Sequence, residues 1–145
     1  MPWAMGADLL AESSEHSALV QIIIKYIGRE HAQIAALGIV NDLSSPLYAE
    51  KPSRIGGFVP DVYAFDAPLT TIIIGEAKTQ ADLETEHSKK QITAFLSFLG
   101  QQKTGIFILA VPWQMKRRAH AIVTTLIEGV GAASVKTVTL DNLGF

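Results

Sequence analysis

Three side chains in one short stretch could do metal-assisted chemistry on a phosphodiester: Asp61, Glu76 and Lys78, with Pro60 before the first and Ala77 between the others. Two carboxylates, completed by waters and a substrate phosphate, give Mg²⁺ the oxygen ligands it prefers. Mn²⁺ would substitute. An ion held by Asp61 and Glu76 can polarise the phosphodiester, offset developing negative charge and lower the pKa of bound water. The Ala77 carbonyl can add a ligand. Lys78 would orient or help deprotonate the attacking water, or stabilise the pentacovalent oxyanion. No covalent intermediate is needed.

These residues must be brought together by a hairpin. Val62 to Phe65 and Thr70 to Ile74 are β-branched and aromatic runs separated by Asp66-Ala67-Pro68-Leu69, which reads as two strands and a turn. Residues two apart on a strand share a face, so Glu76 and Lys78 are neighbours. With the turn centred between Ala67 and Pro68, Asp61 lies opposite Ile74 and shares that face. A one-residue slip would undo the arrangement.

The flanking pattern supplies helices. Ser13 or Ser14 can cap a helix starting near Glu15, with Leu19, Ile22, Ile23, Tyr26 and Ile27 at helical spacing and Gly38 ending its apolar extension. Between Ile39 and Asp66 the turn formers Asn41, Asp42, Ser44, Ser45, Pro46, Pro52, Gly56 and Gly57 indicate strand and loop. A helix follows around Glu86 to Leu99, then a strand from Ile106 to Val111, a helix from about Met115 to Ile127, and a last strand from Val135 to Leu140. Strands joined through helices need crossover connections, so the sheet is at least partly parallel and helix-covered on both faces. The expectation is one three-layer α/β/α domain over residues 1–145.

The bulk numbers suit such a domain. The chain has 145 residues, 48% of them hydrophobic and 18% charged, which argues for a sizeable core and against disorder. Net charge is −2, so the surface as a whole is not built to hold nucleic acid, although basic residues can gather locally. Without cysteine there are no disulfides, thiolate zinc sites or cysteine nucleophiles. Met1 to Leu10 lacks the basic start and apolar run of a secretory signal, and the longest apolar runs are too short to span a bilayer. A soluble, cytoplasmic protein with no membrane partner is expected.

Pro60-Asp61 and, fifteen residues after the Asp, Glu76-Ala77-Lys78 resemble the signature of the PD-(D/E)XK nuclease superfamily. That group includes restriction endonucleases, archaeal Holliday junction resolvases and RecB-type exonuclease domains. Its restriction-endonuclease-like core, αβββαβ around a mixed sheet, is similar to the order read here from Glu15 to Val111. The resemblance implies Asp61 and Glu76 as metal ligands and Lys78 as the catalytic lysine. It also suggests a metal-reaching glutamate on the first helix, for which Glu15 stands in place and Glu12 and Glu30 compete. Gln91, followed four residues on by Phe95, is similar to the Gln-x-x-x-aromatic element of RecB-like members, with phenylalanine for the usual tyrosine. The implied function is Mg²⁺-dependent hydrolysis of nucleic acid, DNA first, by a homodimer or a subunit of a larger assembly. The alternative is a non-catalytic module that keeps the fold to bind nucleic acid or protein.

Other features have two readings each. Lys89-Lys90 and Lys116-Arg117-Arg118 are phosphate contacts beside the cleft or a solvated helix face. Glu15 is a ligand or a complement to the helix dipole. Trp113 and Tyr63 can stack on bases, though core packing or a strand-end anchor is the commoner use. His16, His31, His87 and His120 have no ligand spacing and no H-E-x-x-H pattern, which speaks against a zinc hydrolase. Gly56-Gly57 is too short for a phosphate-cradling loop.

Overall fold

A computed structural model gives the backbone of residues 2–41 and 53–143 and the side chains from Ser14 onward. Asp42, Ser44, Ser45, Pro46 and Pro52 lie outside the described residues, as does the side chain of Glu12. The elements are α1 (Pro2–Glu30), α2 (Ala32–Ala35), β1 (Val40–Asn41), β2 (Val62–Phe65), β3 (Thr71–Ala77), α3 (Glu86–Gly100), β4 (Thr104–Val111), α4 (Lys116–Val130) and β5 (Lys136–Asp141). A single 3₁₀ turn, Trp113–Met115, joins β4 to α4.

The strands form one five-stranded sheet in the order β1-β2-β3-β4-β5. β1, β2 and β3 run antiparallel, whereas β3, β4 and β5 run parallel. The parallel pairs are connected through α3 and α4, as crossovers require. Alternation along the strands divides the core into two layers. Ile72, Ile74, Phe107, Leu109 and Val111 pack with Phe95, Leu96 and Leu99 of α3 and Ala119 and Val123 of α4. Ile73, Ile106, Ile108 and Ala110 pack with Leu19, Val20, Ile23 and Ile27 of α1. The result is the expected three-layer α/β/α fold with a mixed sheet. Among the described residues, no helix is long and apolar enough to cross a membrane.

The first helix departs from the expectation. It begins at Pro2 rather than near Glu15, so Ser13 and Ser14 are interior and not caps. Proline is at home in a first helical turn, and Ala4, Met5, Leu9, Leu10 and Ala11 are strong helix formers, so nothing breaks the helix before Ser13. Gly28 sits inside α1 without ending it. At the other end of the tight spots, Gly75 lets α1 lie close on β3. A Cβ there would stand 2.6 Å from Ile23 Cγ2 and 3.2 Å from Val62 Cβ.

Candidate active site

The hairpin register decides the site. Val62 pairs with Gly75 and Tyr63 with Ile74, so the pairing line runs on to place Asp61 opposite Glu76, not opposite Ile74. The register therefore differs by two residues from the simple expectation, because the turn centres one residue later, between Pro68 and Leu69. Side-chain direction has period two, so the shift leaves Asp61, Glu76 and Lys78 on the face expected of them. The turn is fixed by Asp66, whose Oδ1 accepts from the Thr70 and Thr71 amides at 2.7 and 3.1 Å. Leu69 takes a left-handed backbone, φ 57°, to close it.

At the mouth of the hairpin the two carboxylates are tied crosswise. The Asp61 amide donates to Glu76 Oε1 at 2.8 Å, and the Ala77 amide donates to Asp61 Oδ2 at 2.9 Å. Lys78 extends from the end of β3, its amide donating to the Ala110 carbonyl at 3.0 Å. Its ammonium lies 3.5 Å from Glu76 Oε2 and donates to Gln91 Oε1 on α3. Glu76 and Lys78 are almost wholly buried, 1% and 7% exposed, and Gln91 is half-buried. Burial, and then the charge of Asp61, push the Glu76 carboxyl well above its usual range; the Lys78 ammonium pulls the other way.

Asp61, Glu76, Ala77, Lys78 and Gln91 line one open cleft of about 210 Å³. His16, Asp82, Thr85 and His87 complete its wall. It opens at the carboxyl ends of the parallel strands, the edge where α/β sheets hold their ligands. The N-termini of α3 and α4 both start from this edge. Thr85 caps α3, its hydroxyl oxygen accepting from the Ser88 amide at 3.1 Å and donating to the Asp82 carbonyl at 2.9 Å. His87 meets Phe58 edge-on at 5.5 Å between ring centres, and Phe58 in turn packs on Phe95.

Not every expected residue reaches the cleft. Glu15 is exposed and not part of the wall; the α1 residue that enters it is His16, whose Nε2 lies 3.2 Å from Asp61 Oδ2. That hydrogen bond raises the imidazole pKa against the opposing effect of burial. The reason is rotational. His16 is seven residues before Ile23, almost two whole turns, so it continues the buried stripe, whereas Glu15 is about 100° off it. Glu30, the other glutamate considered, is exposed at the far end of α1 beside Arg29. The absence of metal-ligand spacing among the histidines hid His16; alignment with Leu19, Ile23 and Ile27 was the signal that pointed to it.

The basic residues are also outside the cleft wall. Lys89 and Arg118 border a separate groove between α3 and α4, with Ile122 and Leu126 at its base. Lys89 stands 3.9 Å from Glu86, Arg118 pairs with Glu84, and Lys116 lies 3.2 Å from Asp141. Lys90 and Arg117 are exposed.

The donors suited to a hard dication are the Asp61 and Glu76 carboxylates, with the Ala77 carbonyl between Glu76 and Lys78. A third His, Asp or Glu does not join them in ligand geometry among the described residues. A dication here would complete its shell from water and phosphate oxygens, the habit of Mg²⁺. The donors fit such an ion in charge as well, because a dication would offset the burial and the Asp61 charge that push the Glu76 carboxyl up.

No protein-family model matches the chain. No curated protein matches it either. Among solved structures, it is similar to a chain of a CdiA-CT/CdiI toxin and immunity complex from Yersinia pseudotuberculosis. The TM-score is 0.46 at 12% identity, over 81% of this chain and 96% of that one.

Proposed function

We propose that the protein is a metal-dependent phosphodiesterase acting on nucleic acid, DNA first, in the manner of the PD-(D/E)XK nucleases. The observation that carries this reading is the crosswise pair of Asp61 and Glu76 at the sheet edge, with Lys78 held between Glu76 and Gln91. A buried pair of carboxylates costs stability unless a cation offsets it, and a site that accepts that cost is a candidate for function.

Asp61 and Glu76 would hold Mg²⁺ or Mn²⁺, which when bound polarises the phosphate and acidifies a water. Lys78 supplies a positive charge whose ammonium is steered by the Gln91 carbonyl oxygen. From there it can orient the attacking water or offset charge on the phosphorane oxygens. Gln91 is a positioning residue, since it acts through Lys78. His16 does the same for Asp61 by fixing one carboxylate oxygen. Lys89, Lys90, Lys116, Arg117 and Arg118 are proposed phosphate contacts outside the cleft.

Purified protein incubated with duplex, branched and single-stranded DNA in Mg²⁺ or Mn²⁺ tests the reading. Cleavage should need the metal and fall by at least about a hundredfold in Lys78→Ala. Asp61→Asn should lose metal affinity that Lys78→Ala keeps. If no substrate is cut, or Lys78→Ala cuts as well as wild type, the chain is instead a non-catalytic binding module.

A further inference from the structure

Among the described residues, Trp113 is the large aromatic side chain that stands exposed. It is 51% exposed, and it stands on the turn that leaves β4 at the same sheet edge as the cleft. Its place is fixed. The Trp113 amide donates to Asn142 Oδ1 at 2.8 Å, which ties the β4 exit to the end of β5. Leu143 next to it is 74% exposed, and its amide donates to Asp141 Oδ1 at 2.8 Å. Met115, at the end of the same turn, packs into the α3 and α4 layer. The backbone that carries this half-exposed indole is thus tied at the sheet edge.

The distance to the cleft follows from the ladder. Ala110 pairs with Ala77 and accepts from the Lys78 amide, and Trp113 is three residues farther along that strand direction. β4 ends at Val111, so at no more than about 3.3 Å per residue the Trp113 backbone stands within about 10 Å of Ala110. Charge favours an anionic occupant. Lys116, Arg117 and Arg118 open α4 with no acidic residue in its first turn, against the preference of the helix dipole. Lys116 pairs with Asp141 and Arg118 with Glu84, which leaves Arg117, without an ion-pair partner among the described residues, as the cation open to a phosphate.

We infer that Trp113 is a stacking platform for an unpaired base of a nucleic-acid strand whose backbone runs past Arg117 toward the cleft. The inference rests on the nuclease reading for the identity of the ligand and extends it to the form of the substrate, a single-stranded or locally unpaired segment. An indole accepts any base face, so this contact would add affinity with little sequence preference. A neighbouring cation supplies the phosphate contact that stacking lacks.

The test is binding of a short oligothymidylate to the whole protein in EDTA, read by tryptophan fluorescence and by anisotropy of a labelled strand. The chain has two tryptophans, so wild type is compared with Trp113→Phe to assign the signal. Quenching should appear in wild type and be lost in Trp113→Phe, which keeps a ring to stack and binds nearly as well. Trp113→Ala should bind at least about fivefold more weakly, with the salt dependence of binding unchanged. Arg117→Ala should lower that salt slope by about one phosphate contact. Unchanged affinity in Trp113→Ala, as for a patch kept for a protein partner, overturns the inference. So does a loss matched by a shallower salt slope, which would mean missing phosphate contacts. Cleavage without quenching sinks the platform and leaves the nuclease reading standing; quenching without cleavage does the reverse.

Discussion

Gly75→Ala should force α1 and β3 apart. The added Cβ would sit 2.6 Å from Ile23 Cγ2 and 3.2 Å from Val62 Cβ, where carbon atoms prefer about 3.5–4.0 Å. Ile23 is fully buried between α1 and the sheet and cannot swing into open space. Either Ile23 leaves its rotamer, at about 0.5–1.5 kcal/mol, or α1 lifts from β3. Overpacking of this kind costs about 1–3 kcal/mol, so a loss of about 2 kcal/mol and a Tm lower by about 6 °C are expected. Urea denaturation followed by circular dichroism measures it. Ile23→Ala alone should cost about 2–5 kcal/mol by leaving a cavity. Combined with Gly75→Ala, the new methyl occupies part of that cavity, and the pair should be less harmful than the sum by at least about 1 kcal/mol. Gly28→Ala is the control on the same helix. Nothing stands within 4 Å of its Cβ, so a gain of up to about 1 kcal/mol is expected. A cost below about 0.5 kcal/mol for Gly75→Ala, or strict additivity with Ile23→Ala, would refute the close-approach argument.

Glu76→Gln should stabilise the metal-free protein at neutral pH relative to its effect near pH 4.5. The folded chain holds the Glu76 proton more tightly than the unfolded chain, so this group adds stability below its ordinary value of 4.5 and loses it as pH rises through the folded value. Melting in EDTA should therefore show the advantage of Glu76→Gln shrinking as pH falls toward 4.5; a gap that widens would contradict the burial argument. Thr85→Ala removes the α3 cap and should cost about 1 kcal/mol by thermal melting, where a neutral result would mean water replaces the hydroxyl freely. Leu69→Gly relieves a left-handed backbone on an exposed residue and should gain up to about 1 kcal/mol with cleavage unaltered, checked by paired melting and cleavage assays.

Much of the fold was written in periodicities that survive inspection one segment at a time. The apolar run ending at Val111 and the stripe of Ile92, Phe95, Leu96 and Leu99 declare a buried strand and an amphipathic helix without outside help. The site was legible to the extent that it obeys the two-residue period: Asp61 met Glu76 on one face despite a shifted turn. Leu69 explains the shift, because a leucine gives no sign that it will take a positive φ. The start of α1 was illegible for a different reason. Ser13 and Ser14 are good caps, but a cap acts only where a helix has an end, and residues before them favour its continuation. His16 was missed because it shows no metal-ligand spacing; its place on the stripe of Leu19, Ile23 and Ile27 turns it inward, and its bond to Asp61 spans 45 residues of chain.

The hairpin has a last consequence. Asp61 enters β2 and Glu76 lies near the end of β3, so the interval of fifteen residues between them is twice the strand length plus a turn. That interval is a ruler for the hairpin, not for the metal. Residues added in equal number to both strands would lengthen the ribbon away from the cleft and leave the two carboxylates face to face. The tip at Ala67 and Pro68 is exposed and points the other way along the sheet. It is where a tag, a recognition loop or a whole domain could be grafted at the end of the hairpin remote from the cleft.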